Sequence, residues 1–218
     1  MKYLFASDIH GSAFYCRKLL DAYQRSGANR LILLGDILYH GPRNDLPKEY
    51  APKEVIGLLN PLKDEILCVR GNCEAEVDQM VLAFPCLADY ALFFLNGIDF
   101  FATHGHVYNT LEEGSHLPPL KNGDVLIHGH THLPVAEIYE LPSEKTEGPA
   151  GSDAVSGGDT GEARAAHKRI YWLNPGSVSI PKGGNPCSYG LLSDRHFSIL
   201  DFEGNVLKEL ELAPEKLR

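Results

Sequence analysis

The spacing of hydrophobic and polar positions changes character half-way along the chain. In the first ninety residues, short apolar runs alternate with amphipathic stretches. KYLFAS (2–7), RLILLGD (30–36) and EILCVRGN (65–72) are bounded apolar runs of strand length and predict buried strands. Between the first two, Ser12 can cap a helix over 13–26 that carries Leu19, Leu20 and Tyr23 on one face and stops at Gly27. Pro52 opens a second helix that runs to Leu59, ahead of Pro61, and EVDQMVLAF (76–84) predicts a third. Strand and helix in alternation predict a parallel α/β sheet.

From residue 90 onward the helical period is lost. ALFFLNGIDFFATHG reads as two strands around Asn96-Gly97, a two-residue hairpin signal. Short strands follow at 124–130, 134–140, 168–177, 188–194, 196–202 and 206–212, which predicts mixed or antiparallel sheet. Two β-sheets packed face to face with helices outside would satisfy both halves, within a single domain over 1–218. One stretch, 143–167, has almost no large apolar residues and is dense in Gly, Ser, Ala, Asp and Glu. It cannot bury enough surface to offset its ordering entropy, and is expected to be a disordered surface loop within a hairpin.

Composition narrows the function. The chain has 218 residues, 44% hydrophobic and 22% charged, with a formal net charge of −9. Such an acidic chain is a poor general binder of nucleic acid, which needs clustered Lys and Arg. No apolar run is long enough for a membrane span, and MKYLFASDIHG meets an Asp too early for a signal peptide. The five cysteines are odd in number and form no CxxC, so they are expected to be reduced thiols in a cytoplasmic protein. ALFFL and its apolar neighbours leave a homo-oligomer open.

Candidate chemistry gathers where predicted strands end. Asp8-x-His10, Gly35-Asp36, Gly71-Asn72, His104-x-His106 and Gly129-His130-x-His132 all fall there. Sites of open α/β sheets form beyond the carboxyl ends of strands. Imidazoles with hard carboxylate and amide oxygens suit Mn, Fe, Ni, Co or Zn. Asp8, His10, Asp36, Asn72, His104, His130 and His132 are material for two ions if one carboxylate bridges. The helix at 13–26 starts just after Asp8-x-His10, so its N-terminus is a further expected anion site.

In this order the motifs D-x-H, G-D, G-N-C-E, H-G-H and G-H-T-H resemble those of the calcineurin-like metallophosphoesterases. FASDIHGS, GDILYHGPRN, VRGNCEAEVDQM, GHTHLPVAE and NPGSVSIPKGGNPCSYG resemble the small bacterial YfcE-type phosphodiesterases in particular. The resemblance implies an α/β/β/α sandwich and two divalent ions, usually Mn²⁺. It implies that Asp8, His10 and His132 hold one ion and Asn72, His104 and His130 the other, with Asp36 bridging. The implied activity is hydrolysis of a small phosphodiester by a two-metal, bridging-hydroxide mechanism. Alternatives are another phosphoesterase of the superfamily (a phosphomonoesterase or nucleotide pyrophosphatase) or a metal-free binding scaffold of the same fold.

Around this set, His106, His40 and Arg43 are candidates to meet the phosphate or the leaving group. Arg70 is expected in a structural ion pair, and 174–184 is expected to brace the His130–His132 loop. His116, His128, His167 and His196 read as incidental, His128 facing away from the motif. Cys73 departs from the family, where many members carry His. A thiol with a pKa of about 8.5 is a weak substitute for an imidazole near 6.5. Cys73 is therefore expected to pack beside the metals rather than act as a nucleophile, and the enzyme to favour good leaving groups.

Overall fold

A computed structural model describes residues 1–109, 115–141 and 168–217. The chain order is β1 (Lys2–Ala6), α1 (Ala13–Ser26), β2 (Arg30–Leu33), α2 (Pro52–Leu59), β3 (Ile66–Cys68), α3 (Glu76–Gln79), β4 (Tyr90–Leu95), β5 (Ile98–Thr103), β6 (Val125–Ile127), β7 (Pro134–Leu141), β8 (Lys168–Pro175), β9 (Ser188–Ser193), β10 (His196–Asp201) and β11 (Val206–Glu211). The strands form two mixed sheets, β11-β10-β9-β1-β2-β3 and β4-β5-β6-β8-β7. β1, β2 and β3 are parallel, as are β5, β6 and β8, while β9 returns antiparallel to β1. The last three strands therefore complete the first sheet rather than the second.

The alternation of side chains across β1 and β2 builds both cores. Leu4, Ala6, Leu31 and Leu33 face one way, onto Cys16, Leu19 and Tyr23 of α1 and Val55 and Leu59 of α2. Tyr3, Phe5 and Ile32 face the other way, onto Phe100 of β5, Val125 and Ile127 of β6 and Tyr171 of β8. A strand buried on both faces has no polar side, which is why these runs read as continuously apolar. The Phe5 ring lies 6.3 Å from Phe100 of β5, which ties the two sheets together, and 6.0 Å from Phe197 of β10 in its own sheet. On the outer face of the second sheet, Phe101, Leu126 and Ile170 pack with Tyr108 and Leu120.

Helix α1 occupies the span its pattern predicts. Ser12 Oγ accepts from Tyr15 N, and Gly27 ends the helix at φ 63°. The Asn96-Gly97 hairpin forms with φ values of 52° and 86°, both in the left-handed region that such a turn needs. The third helix does not reach 84; α3 stops at Gln79. The Gln79 side chain donates to the Phe84 carbonyl (3.0 Å) and accepts from Cys86 N (2.9 Å). Asn60 does the same for Val81 and Ala83 (2.9 and 2.8 Å). These amides take the backbone groups a longer helix would have paired, and Leu82 and Phe84 turn into the core. β7 and β8 pair antiparallel, and the predicted loop at 143–167, with His167, lies outside the described residues.

Candidate metal centre

The carboxyl ends of β1, β2, β3, β5 and β6 open on one side of the two sheets. There the strands stop short of their predicted ends, because the backbone changes conformation. Asp8 (φ 61°), His10 (49°), Asp36 (55°), His130 (63°) and His132 (61°) all sit in the left-handed region. That region costs an L-residue with a Cβ on the order of 1–2 kcal/mol, and such strain persists where the surroundings impose it. Two glycines permit the close packing. A Cβ on Gly35 would lie 2.4 Å from Gly71 N, and one on Gly129 would lie 1.8 Å from Ser7 Oγ.

The seven candidate ligands converge in two overlapping groups. In one, His132 Nε2 is 3.3 Å and His10 Nε2 3.6 Å from Asp8 Oδ1, and the two imidazole nitrogens are 3.4 Å apart. In the other, His104 Nε2 is 3.1 Å from Asn72 Oδ1, 3.5 Å from Asp36 Oδ2 and 3.2 Å from His130 Nδ1. Asp36 joins the groups, its Oδ2 also lying 3.6 Å from His10 Nε2.

The protonation pattern tests whether these residues fit a cation. A backbone carbonyl only accepts, so a ring nitrogen bonded to it carries the proton. His10 Nδ1 donates to Tyr39 O (2.7 Å), His104 Nδ1 to Leu34 O (2.6 Å) and His132 Nδ1 to Ile180 O (2.5 Å). In the neutral rings each Nε2 is then a bare lone pair aimed at other acceptors. Asp8 Oδ1 is buried among them with no hydrogen-bond partner. Acceptors crowded on acceptors are repulsive unless positive charge sits between them, and the outer carbonyls are the usual support for metal-binding imidazoles. The titration directions agree. Burial disfavours an imidazolium at His104, but the charge and hydrogen bond of Asp36 outweigh it and lift its pKa to about 9. Burial would raise Asp8, yet the imidazoles of His10, His132 and His104 around it hold it well below the usual carboxylate range. The cluster draws in cations, and its donors fit divalent metals.

The chain matches the calcineurin-like phosphoesterase superfamily domain over residues 1–196. It belongs to that superfamily. It is 44% identical over 200 residues to Phosphodiesterase YfcE of Escherichia coli strain K12, covering 92% of this chain and 91% of the relative. A solved structure of Yfce, described as a phosphoesterase from E. coli, aligns with a TM-score of 0.79 at 41% identity, covering 98% of this chain and all of that one. Vps29 of Entamoeba histolytica shares the fold, with a TM-score of 0.52 at 18% identity and 98% of this chain covered. As a calcineurin-like phosphoesterase the chain is a hydrolase of phosphoester bonds, and the family implies divalent metal ions at the Asp–His cluster.

Other residues of this calcineurin-like site divide by position. Arg43 lines the cleft of about 670 Å³ that opens over the ligands, along with Cys73 and Thr131. The His40 ring instead packs 4.8 Å from Tyr39 and 5.2 Å from Tyr50, with Nδ1 buried and unbonded. His106 lies 5.4 Å from the His104 ring, and burial together with the charges of His104 and His130 pushes its pKa down to about 4. His128 stacks on Trp172 at 5.7 Å, away from the cleft, and Arg70 stands 3.9 Å from Asp89. The N-terminus of α1, expected as an anion site, has part of its donors taken up within the fold, Ala13 N by Glu49 O (3.0 Å) and Tyr15 N by Ser12 Oγ (3.3 Å).

The 174–184 segment braces the centre with side chains as well as backbone. Asn174 Nδ2 donates to Gly129 O (2.8 Å) and Thr131 Oγ1 (3.0 Å). Ser177 and Ser179 donate to the Asp8 carbonyl (3.1 and 3.2 Å). Cys73 contributes its backbone, Cys73 N donating to Asp36 Oδ1 at 2.9 Å. Burial and the nearby Asp36 charge push its thiol upward, so it stays protonated and is no nucleophile. One residue that sequence reasoning missed is Glu74. Only 4% exposed, it accepts from Asp36 N (2.9 Å), Ile37 N (2.7 Å) and Gly71 N (2.5 Å), and so holds the Asp36 turn. Its signal was a carboxylate two residues after Asn72 in G-N-C-E.

Proposed function

We propose that the chain hydrolyses small phosphodiesters at a binuclear centre of divalent ions, with Mn²⁺ the working metal and Zn²⁺, Fe, Ni²⁺ or Co²⁺ compatible with the same donors. The observation that carries this reading is the ring of imidazole Nε2 and carboxylate atoms, joined through Asp36 and facing one cleft. Asp8, His10 and His132 would hold one ion, and Asn72, His104 and His130 the other. Bound there, such ions neutralise phosphoryl oxygens and lower the pKa of a coordinated water to make the nucleophile.

The chain's own groups orient and select. Carbonyls of Tyr39, Leu34 and Ile180 fix the rings, and Glu74 and the Cys73 N–H fix Asp36. Arg43 supplies positive charge on the cleft wall. His106, with its pKa near 4, is a neutral imidazole at working pH and a poor acid. With a protonated thiol at Cys73 as well, the cleft offers no acid tuned to neutral pH. Good leaving groups and diesters are the substrates that fit.

YfcE supports this reading as a phosphodiesterase at 44% identity. The scaffold alternative is disfavoured because every candidate ligand position carries a competent donor. The whole chain, 1–218, is read as one catalytic domain in a reducing cytoplasm, its five cysteines being free. Leu92 (67% exposed) and Phe94 (66%) on edge strand β4 mark a face for a second copy. The test is Mn²⁺-dependent hydrolysis of bis(p-nitrophenyl) phosphate against p-nitrophenyl phosphate. The diester is expected to turn over faster. A metal-loaded chain inactive on both would overturn the enzyme reading.

A further inference from the structure

Lys182 and Arg43 are placed by the same structural device on two different loops. The Tyr39 carbonyl orients His10, and that loop continues through Gly41 (φ 78°) to Arg43. The Ile180 carbonyl orients His132, and that loop continues to Lys182. Both loops are pinned at the backbone. Asn44 Nδ2 donates to the His40 carbonyl (2.8 Å), Lys182 N to the His132 carbonyl (3.3 Å), and Asn185 Nδ2 to the Lys182 carbonyl (2.8 Å). Both side chains then line the cleft beside His10 and His132.

Arg17, Lys18, Lys63, Arg70 and Arg169 each stand beside a carboxylate. Arg43 and Lys182 have no such partner among the described residues, although the chain carries nine more acidic than basic groups. Asn44, Asn72, Cys73 and Thr131 contribute no cation to the lining. Two cations with no carboxylate partner among the described residues, on the loops that orient His10 and His132, thus line the same cleft as the candidate metal ligands.

Resting on the phosphodiesterase reading above, we infer that Lys182 and Arg43 form a subsite for a second anionic group of the substrate, a phosphate or carboxylate outside the scissile phosphodiester. Lys182 follows such a group on a flexible stem, and Arg43 fixes it with its planar fork. The natural substrate class is thereby a diester carrying at least one further anionic group. A diester without a further anionic group would leave both cations unsatisfied.

The test compares thymidine 5′-(p-nitrophenyl phosphate) with its 3′-phosphorylated counterpart, which differs only in a remote phosphate. Steady-state kinetics with the full Mn²⁺-loaded chain are paired with calorimetric binding of thymidine 5′-monophosphate and thymidine 3′,5′-bisphosphate. The remote phosphate is expected to raise kcat/KM and affinity roughly fivefold per cation, the scale of one partly exposed ion contact. Lys182→Met and Arg43→Met each lower that preference, Lys182→Arg retains it, and the double variant abolishes it. A wild-type chain indifferent to the remote phosphate, or a double variant that keeps the preference, overturns the subsite. If neither ester is cleaved, the phosphodiesterase reading falls, and the binding ratio alone decides the subsite.

Discussion

Replacing Glu74 with Gln tests how the centre is held without touching a candidate ligand. The Glu74 carboxylate is buried and satisfied only by backbone: Oε2 takes the N–H groups of Asp36 and Gly71, and Oε1 that of Ile37. A glutamine has one acceptor oxygen. Set at the Oε2 position it keeps two bonds, loses the third, and turns its own N–H₂ against Ile37 N–H. A hydrogen bond to a charged group is worth about 1.5–3 kcal/mol net, and the unmet donors add to the loss. Against this, burial and the neighbouring Asp36 charge push the Glu74 pKa up, so neutralising it recovers part of the penalty. A net loss of about 2 kcal/mol follows, which for a chain of this size lowers Tm by roughly 5 °C. The catalytic effect is expected to be larger. Displacing the Asp36 turn by about 1 Å costs on the order of 100-fold in rate. Thermal unfolding by circular dichroism and kcat on bis(p-nitrophenyl) phosphate at saturating Mn²⁺ measure both. A variant within about 1 °C and about twofold of wild type refutes the bracing role. So does a lowered Tm with kcat intact, which would leave Glu74 a fold residue only.

Three further outcomes follow from the same geometry. Cys73→Ser should leave diester hydrolysis within about threefold of wild type, because the backbone N–H of Cys73 rather than its sulfur holds Asp36; a dead variant with full metal content contradicts this. Gly129→Ala places a methyl 1.8 Å from Ser7 Oγ and 2.7 Å from Ser7 Cβ, and should cost ~3 kcal/mol or more while abolishing metal retention; a urea midpoint like wild type would show that the two loops are not in contact. Burial lifts the Cys16 and Cys86 thiols to about 12. Folding therefore favours their protonated forms: this stability is complete below the ordinary thiol pKa of 9.0 and is lost as pH rises from there toward 12. Urea midpoints should fall between pH 8.5 and 10.5, and a flat profile would contradict the burial.

The two-sheet architecture was legible because central strands buried on both faces leave an unmistakable apolar run, as in KYLFA and RLIL. α1 was legible to the residue, because Ser12 and Gly27 are local signals that tertiary contacts leave in place. The candidate ligands were found as polar residues next to glycine at strand ends, strengthened by their order along the chain. The left-handed backbone of Asp8, His10, Asp36, His130 and His132 was not legible, since Asp and His carry no obligation to it; it is imposed from outside by bonds such as Ser177 to the Asp8 carbonyl. α3 was overextended because EVDQMVLAF has a helical pattern throughout. What ends it is Asn60, distant in sequence, and the reach of Gln79 into the chain that follows. Glu74 and Lys182 escaped notice for a similar reason. A carboxylate bound only to backbone and a lysine on a turn look like surface residues until the fold closes around them.

The proposed centre works only when metal fills it. Titrating the metal-free chain with Mn²⁺, reading bound ion per chain and the rate on bis(p-nitrophenyl) phosphate in the same samples, tests this directly. The rate should stay near background until the second ion loads and should level off at two per chain, and Asp36→Asn should remove both the second ion and the rate. Full activity in the metal-free chain, or a chain holding two ions with no activity, would contradict the account.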